Sequence, residues 1–97
     1  MKYIRWDEDK NEWLKRKRGV CFEQIVVLFE QDNLLEIVDN PNQKKYPGQK
    51  IAIVEIDGYA FLVPYEQHGD EIELKTIIPS RKATKQYLGD RHEKNDT

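Results

Sequence analysis

The chain has almost no cysteine and no long apolar stretch. Cys21 is the one cysteine among 97 residues, so an internal disulfide is excluded. No set of Cys and His residues has zinc-ligand spacing, and no apolar run approaches the roughly 20 residues of a membrane span. The first ten residues also lack the apolar core of a signal peptide. We therefore expect a soluble protein of the reducing cytoplasm, with no metal, no cofactor and no membrane partner.

A predominance of one charge sign is also missing. Charged residues make up 35% of the chain, yet the formal net charge is only -2. This balance indicates a mixed, solvated surface, and it excludes a polycation that holds nucleic acid through bulk charge. The basic residues form two islands instead, KRKR at 15–18 and SRKATK at 80–85. A nucleic-acid interface would have to be built from such islands.

The common catalytic signatures are absent as well. The sequence contains no Gly-rich phosphate loop, no HExxH and no GxSxG. His68 lies in a turn and His92 near the C terminus, so both are interpreted as solvated residues and not as catalysts. Alternating acids around Glu71 and Glu73 are typical of the wet face of a sheet, and metal binding there is the weaker alternative.

The N-terminal third carries helical patterns. Asp7 is a good N-cap and Gly19 a typical residue after a helix end, so a short amphipathic helix is predicted between them. Apolar spacing over residues 22–29 predicts a second helix, with Cys21 at its N-cap position. The stretch KYIR before the first helix predicts a short strand.

From residue 34 the period changes to that of strands. Residues 34–38 predict one strand, and residues 39–49 predict a long exposed loop rich in turn residues. Asp57-Gly58 between two apolar runs predicts a β-hairpin. The run EIELKTII predicts a regular strand over residues 71–78. Its expected apolar face comprises Ile72, Leu74, Thr76 and Ile78.

A final helix begins after Ser80, and residues 90–97 are expected to be a disordered tail. The predicted fold class is α+β, because strands grouped together with helices on one side do not make a doubly wound sheet. It consists of two N-terminal helices, an antiparallel sheet of about four strands and a C-terminal helix. One domain is expected, over residues 1–89.

Arg81 and Lys82 open this last helix with the unfavourable charge sign. A helix N-terminus is partly positive, so a cation there costs about 0.3–1 kcal/mol. Together with the free N–H groups, the two cations would form a concentrated positive site that suits a phosphate. The alternative is that both side chains simply point into water.

Other candidates of the same chemical type are spread along the chain. They are Lys44, Lys45, Tyr46, Lys50, Tyr65 and Lys75. A site built of Lys, Arg and Tyr could bind RNA and cleave it. Attack by the 2′-hydroxyl needs a base, an acid, and cations around a phosphorane that gains negative charge. Cations supply the third requirement, whereas the pattern leaves the base and the acid unassigned.

Two further features allow two interpretations each. Trp6 and Trp13 could stack on bases, but their helical spacing favours a place in the core. The KRKR island, which ends in Arg18, could contact phosphates, although cations are also favoured at the C-terminal end of a helix.

Two stretches resemble the BrnT family of bacterial toxins: WDEDKNEWLKRKRGVCFEQIVVLFE at the front and IIPSRKATKQY near the end. The similarity extends over residues 3–88. It implies a RelE-like ribonuclease fold and cleavage of RNA that stops translation. It also implies a cognate antitoxin with a ribbon-helix-helix or similar domain, through which alone DNA would be contacted.

Individual residues carry this resemblance. The matching positions are Lys10, Gly19, Val20, Phe22, Glu23, Arg81, Lys82, Ala83 and Thr84. Departures are Arg18, where the family commonly has histidine, Cys21 in place of serine, and Pro79-Ser80 in place of Ser-Ala.

The resemblance leads to a definite hypothesis for the site. In a metal-independent ribonuclease, Arg81 and Lys82 would hold the scissile phosphate. Lys50 and Lys75 would add charge stabilisation, and Tyr65 would transfer a proton. Further RNA contacts are expected from Lys44, Lys45, Arg18 and Lys85. The alternatives are a non-catalytic module that binds nucleic acid or protein, and a toxin homologue that has lost activity.

Overall fold

The computed structural model describes residues 3–95, and it describes side chains for residues 3–89. The helices are α1 (Glu8–Arg18), α2 (Phe22–Glu30) and α3 (Arg81–Asn95). The strands are β1 (Tyr3–Arg5), β2 (Glu36–Asp39), β3 (Lys50–Ile56), β4 (Tyr59–His68), β5 (Glu71–Leu74) and β6 (Ile78–Pro79).

The strands form one sheet in the order β1-β5-β4-β3-β2, with β6 pairing to β4 beyond the end of β5. The α+β class is confirmed, but the prediction of about four antiparallel strands is wrong for the described residues, which form a mixed sheet of six strands. The parallel pair is β1 with β5, where Ile4 lies opposite Ile72. A three-residue strand carries no signal for its distant partner, so its pairing was not predictable.

Helices cover both faces of this sheet, so the expectation of helices on one side is wrong. On one face, α1 and α2 pack against a core that includes Phe22, Ile25 and Val63, all fully buried. On the other face, α3 places Ala83 and Leu88 against the sheet. Neighbouring residues of β3 and β4 therefore enter opposite cores, which explains why both strands are nearly continuous apolar runs.

Local signals placed most element boundaries correctly. The Asp7 carboxylate caps α1 by accepting a bond from the Asp9 N–H at 3.2 Å, and Gly19 ends that helix with a φ of 67°. The β3–β4 turn has positive φ at both Asp57 (53°) and Gly58 (80°), as a type I′ hairpin requires.

The predicted strand 71–78 is broken by a β-bulge. Tyr65 pairs with Leu74 and Leu62 pairs with Ile78, so the two residues 63–64 lie opposite the three residues 75–77. The extra residue reverses the alternation: Ile77 is fully buried on the α1–α2 face, whereas Ile78 is 37% exposed on the α3 side. The prediction that Thr76 and Ile78 share a face with Leu74 is therefore wrong. Pro64 lies at the break, because it has no N–H to donate to the ladder.

Residues 40–49 form a hydrogen-bonded loop that we call the amide loop. The Asn40 side-chain amide donates to Gln49 Oε1 at 2.7 Å. Gln43 Nε2 donates to the Asn40 carbonyl at 2.5 Å, and Gln43 Oε1 accepts from the Gly48 N–H at 3.0 Å. The predicted long connection is thus present, and three amide side chains define its shape.

The expected disordered tail at 90–97 stays a prediction. The backbone of α3 continues as helix to Asn95. Residues 96 and 97 lie outside the described residues, as do the side chains from residue 90 onward.

Asn11 joins α1 to the start of α2. Its side chain is fully buried, its Oδ1 accepts from the Phe22 N–H at 2.8 Å, and its Nδ2 donates to Glu23 Oε1 at 2.9 Å. The second bond is the main reason why the pKa of Glu23 is lowered. The stability that it contributes is therefore present near neutral pH and is lost as the pH falls through that lowered pKa.

We expect Asn11→Leu to lower the free energy of unfolding by about 1–3 kcal/mol, because it leaves the buried Phe22 N–H without an acceptor. Urea unfolding at pH 7 measures the change. The matched control is Glu23→Gln, which keeps an acceptor for the Asn11 amide and should lose clearly less. Equal losses in the two variants would contradict a structural role for the Phe22 bond.

Candidate functional site

The start of α3 is fixed to the sheet through Ser80 and Thr84. The Ser80 Oγ accepts from the Ala83 N–H at 3.0 Å, which confirms Ser80 as the predicted N-cap. The Thr84 hydroxyl donates to the Ser80 carbonyl at 2.8 Å and accepts from the Ala60 N–H at 2.9 Å. Ser80 also donates its N–H to the Ala60 carbonyl at 3.0 Å. The first turn is therefore held beside the β3–β4 hairpin.

Arg81 and Lys82 project from this first turn into solvent. Both side chains are exposed, and the turn contains no acidic residue. Other cations have carboxylate partners: Lys15 lies 3.0 Å from Glu12, and Lys50 lies 2.8 Å from Asp39. Within residues 3–89, neither Arg81 nor Lys82 has such a partner. The positive charge at this helix end is not neutralised there.

Arg18 brings the end of α1 toward the same part of the molecule. Its Nη1 donates to the Ile77 carbonyl at 2.5 Å, and its guanidinium lies 4.8 Å from the centre of the Trp13 ring. The Lys10 ammonium also lies over this ring, at 4.5 Å. Trp13 is half-buried, so it packs on the core and still carries two cations on its surface. Ile77 comes shortly before Ser80. The Arg18 bond therefore connects the end of the first basic island to the segment that leads into the second.

Comparison with protein families shows the family of the chain. A family model described as "Ribonuclease toxin, BrnT, of type II toxin-antitoxin system" matches residues 6–86. The chain belongs to the BrnT family. No curated protein matches the chain, and no solved structure matches it. The match includes the first stretch and all but the last residue of the second stretch that carries the resemblance in the sequence.

The other predicted site residues of this BrnT chain lie on two faces. Lys75 is on the α3 side, where its Nζ is 3.2 Å from Glu73 and 3.7 Å from Glu66. Lys85 is exposed on α3, and Lys44 and Lys45 are exposed on the amide loop. These cations and the start of α3 therefore border one side of the sheet.

Tyr65 and Lys50 lie on the opposite face, under α2. Lys50 pairs with Tyr65 across β3 and β4, and the Tyr65 ring contacts Phe29 edge-on at 5.5 Å. Burial raises the pKa of the Tyr65 hydroxyl, although nearby Lys50 opposes that shift. The phenol therefore stays protonated at neutral pH.

The structure does not bring Tyr65 and Arg81 to one point. Phe61 pairs with Pro79, just before α3, and Tyr65 is four residues farther along β4. At roughly 3.3 Å per residue, this is about 13 Å along the strand, and Tyr65 also points to the other face. A shared role of Tyr65 and Arg81 at one phosphate therefore stays a prediction.

Among the described residues of the BrnT chain, a cavity lies on each side of the sheet. The larger, about 580 Å³, lies on the α2 side, is lined by Tyr65 and Phe29, and has Glu30 and Asp32 at its edge. The smaller, about 270 Å³, lies on the α3 side. We call it the Tyr46 pocket. Its lining includes Tyr46, Gln49, Pro64, Lys75, Thr76 and Ile78.

The acidic positions considered as metal ligands are engaged in ion pairs. Arg5 lies 2.7 Å from Glu71 and 3.6 Å from Glu73. Within residues 3–89, no group of three or more His, Cys, Asp or Glu side chains is arranged to hold a metal ion. No helix among the described residues has the length and apolar character that crossing a membrane requires.

Sequence reasoning missed the roles of three buried polar residues. Thr84 belongs to the RKAT match, but only the structure shows its bond to Ala60. Asn11 carried a weak signal as a polar residue on the apolar side of α1. Gln49 carried none, because its burial depends on the closure of the amide loop.

Thr84→Val should destabilise the BrnT chain by about 1–3 kcal/mol, because the buried Ala60 N–H loses its acceptor while the side-chain volume hardly changes. Amide hydrogen exchange at Ala60 should accelerate. Thr84→Ser, which keeps the hydroxyl, is the matched control. An unchanged Ala60 exchange rate in the valine variant would show that this bond does not hold α3.

Proposed function

We propose that the chain is an endoribonuclease toxin that cleaves RNA without a metal ion, stops translation and is neutralised by its antitoxin. Membership of a ribonuclease toxin family gives the reaction class. The observation that carries the proposal for this chain is the pair of exposed cations, Arg81 and Lys82, left without carboxylate partners at the start of α3 within residues 3–89.

Phosphate is the ligand that suits this arrangement. The free N–H groups and the dipole of a helix N-terminus attract an anion, and a guanidinium can bind two phosphate oxygens at once. The charge on a phosphorane exceeds that of the phosphodiester, so cations placed here stabilise the transition state more than the substrate. Arg81 and Lys82 are the proposed catalytic pair, and Arg18 is a proposed RNA contact beside them.

The charge distribution also indicates on which side RNA lies. Lys85 is exposed on α3, and Lys45 lies over Tyr46, which lines the pocket on the α3 side. Lys44 is exposed and precedes Lys45 in the amide loop. The larger cavity on the other side has Glu30 and Asp32 at its edge, and these carboxylates repel a phosphate backbone. We therefore place the RNA across the α3 side, between the start of α3 and the amide loop.

The remaining predicted roles stay predictions. Lys75 lies on the RNA side, where Glu66 and Glu73 hold its ammonium and reduce its net effect on a phosphate. Lys50 and Tyr65 lie on the other face, and a role for them requires RNA to reach that face as well. The raised pKa of Tyr65 suits a proton donor to the leaving 5′-oxygen, and not a base at neutral pH.

A cognate antitoxin is the partner that a type II system implies. We propose that it carries a ribbon-helix-helix or similar domain, so that DNA is contacted through the antitoxin alone. An acidic antitoxin segment placed on Arg81 and Lys82 would mimic RNA phosphate and block the site. A RelE-like ancestry of the fold is part of the same proposal.

Arg81→Ala should abolish growth arrest when the chain is expressed in a bacterium, while wild type stops protein synthesis. In vitro, RNA cleavage should fall by about 10²–10³-fold, as expected when one preorganised donor to a developing oxyanion is removed. Lys15→Gln is the matched control, because it removes an exposed cation that already has a carboxylate partner. Circular dichroism and thermal unfolding establish that each variant is folded.

Two results would contradict the catalytic assignment. A folded Arg81→Ala variant that remains fully toxic would exclude Arg81 from the site. RNA binding by wild type with no cleavage of any RNA would favour the non-catalytic module instead.

Cleavage by the purified wild type should be unchanged after EDTA removes divalent ions, because the proposed site stabilises charge with side-chain cations. It should weaken as salt rises, because phosphate contacts by Lys and Arg release bound counterions. RNA cleavage followed by gel electrophoresis measures both effects. Loss of cleavage in EDTA with recovery on adding Mg²⁺ would overturn metal independence.

A further inference from the structure

The Tyr46 pocket lies on the same side of the sheet as the start of α3. The β-bulge creates part of its wall, since the extra residue turns Ile78 toward α3 and leaves Lys75 and Thr76 beside it. Its volume, about 270 Å³, is just below the range of about 300–1,000 Å³ that drug-sized ligands occupy. The space therefore suits one planar ring system, and not a whole dinucleotide.

Gln49 provides an unused hydrogen-bond donor in this pocket. The residue is only 6% exposed, and its Oε1 accepts from Asn40 Nδ2 at 2.7 Å. Gln49 lines the pocket, and its Nε2 has no protein partner in the described part of the chain. No buried side-chain nitrogen or oxygen there lacks a hydrogen bond, so this Nε2 reaches solvent and its N–H groups are available to a ligand.

The bonds around Asn40 determine which Gln49 atom is the donor. Asn40 Oδ1 accepts from the Asn42 N–H at 2.9 Å, so the other atom of that amide must be its nitrogen. The nitrogen needs an acceptor, and that acceptor is Gln49 Oε1. The free atom of Gln49 is therefore Nε2, which carries two N–H groups.

An aromatic ring and cations complete the surroundings. Tyr46 lines the pocket and is 38% exposed, and the Lys45 ammonium lies 5.3 Å from the centre of its ring. Unstacked RNA bases are held by stacking on such rings and by hydrogen bonds to their edges. Lys75 adds a second donor at the wall.

The pocket is also close to the proposed phosphate site. Ile78 lines it, and three residue steps lead from Ile78 to Arg81. An extended chain covers at most about 3.6 Å per step, so their Cα atoms are no more than about 11 Å apart. A strand whose phosphate contacts Arg81 can place a neighbouring base in the pocket.

We propose that the Tyr46 pocket binds one RNA base beside the cleaved phosphate, and that the Gln49 amide selects guanine or uracil through the carbonyl at C6 of guanine or C4 of uracil. The proposal rests on the ribonuclease function, since it names the part of the substrate that this function would select. At the equivalent position adenine and cytosine carry an amino group. That group is a hydrogen-bond donor, so it cannot accept from the Gln49 N–H groups.

The first experiment is independent of cleavage. Guanosine and uridine monophosphates are added separately to isotope-labelled wild-type chain, and the Gln49 side-chain amide is followed by NMR. We expect its two proton signals to shift with these nucleotides, and at least about fivefold higher concentrations to be needed after Tyr46→Ala removes the stacking ring. No shift with any mononucleotide, or a shift only with the antitoxin, overturns the proposal.

The second experiment measures base preference during cleavage. Gln49→Glu keeps an oxygen for the Asn40 amide but replaces the free N–H groups with an acceptor. The added negative charge slows cleavage of all substrates alike. The readout is therefore the ratio of the cleavage rates of two substrates. On oligonucleotides that differ in one base beside the cut, the preference for guanine or uracil over adenine or cytosine should fall about five- to tenfold. Lys15→Gln should keep the wild-type ratio.

The outcomes separate the two proposals. Cleavage with the same ratio in wild type and Gln49→Glu would overturn the base pocket and leave the ribonuclease intact. A Gln49 shift with nucleotides but no cleavage of any RNA would support the pocket and overturn the ribonuclease.

Discussion

The bond between the Thr84 hydroxyl and the Ala60 N–H is the contact on which the placement of the basic surface depends. It ties the first turn of α3 to the hairpin strand, and Ser80 adds bonds in both directions. Arg81 and Lys82 are long, flexible side chains. The turn that carries them is held by buried polar contacts, so the backbone positions from which they project are fixed.

The cationic side chains of the molecule differ in the groups that surround them. Lys15, Lys50 and Lys75 each lie near a carboxylate, whereas Arg18 lies over Trp13 and donates to a backbone carbonyl. At an exposed surface, a cation that is paired with a carboxylate mainly offsets the charge of that carboxylate, and the pair contributes little to stability. A net charge near zero is therefore compatible with strong local potential on one side. Bulk composition could not have revealed this, since it counts every lysine equally.

Prediction from the sequence succeeded where the signal is local. Asp7, Gly19, Ser80 and the Asp57-Gly58 turn placed the helices and the hairpin, because caps and turns depend on the residues themselves. It failed where the outcome depends on pairing, as for the parallel contact of β1 and the bulge opposite Pro64. For the candidate site, the exposed position of Arg81 and Lys82 in the first turn of α3 followed from a local signal, whereas the face on which Tyr65 lies depends on sheet geometry. The roles of these residues stay predictions.

The amide loop has a consequence for how the chain responds to its environment. Asn40, Gln43 and Gln49 hold its shape, and none of these side chains gains or loses a proton in the accessible pH range. Neutral hydrogen bonds are also little screened by ions, in contrast to exposed charge pairs. Ionic strength and acidity can therefore change how strongly the surface attracts a polyanion while leaving the contour of the loop beside it the same.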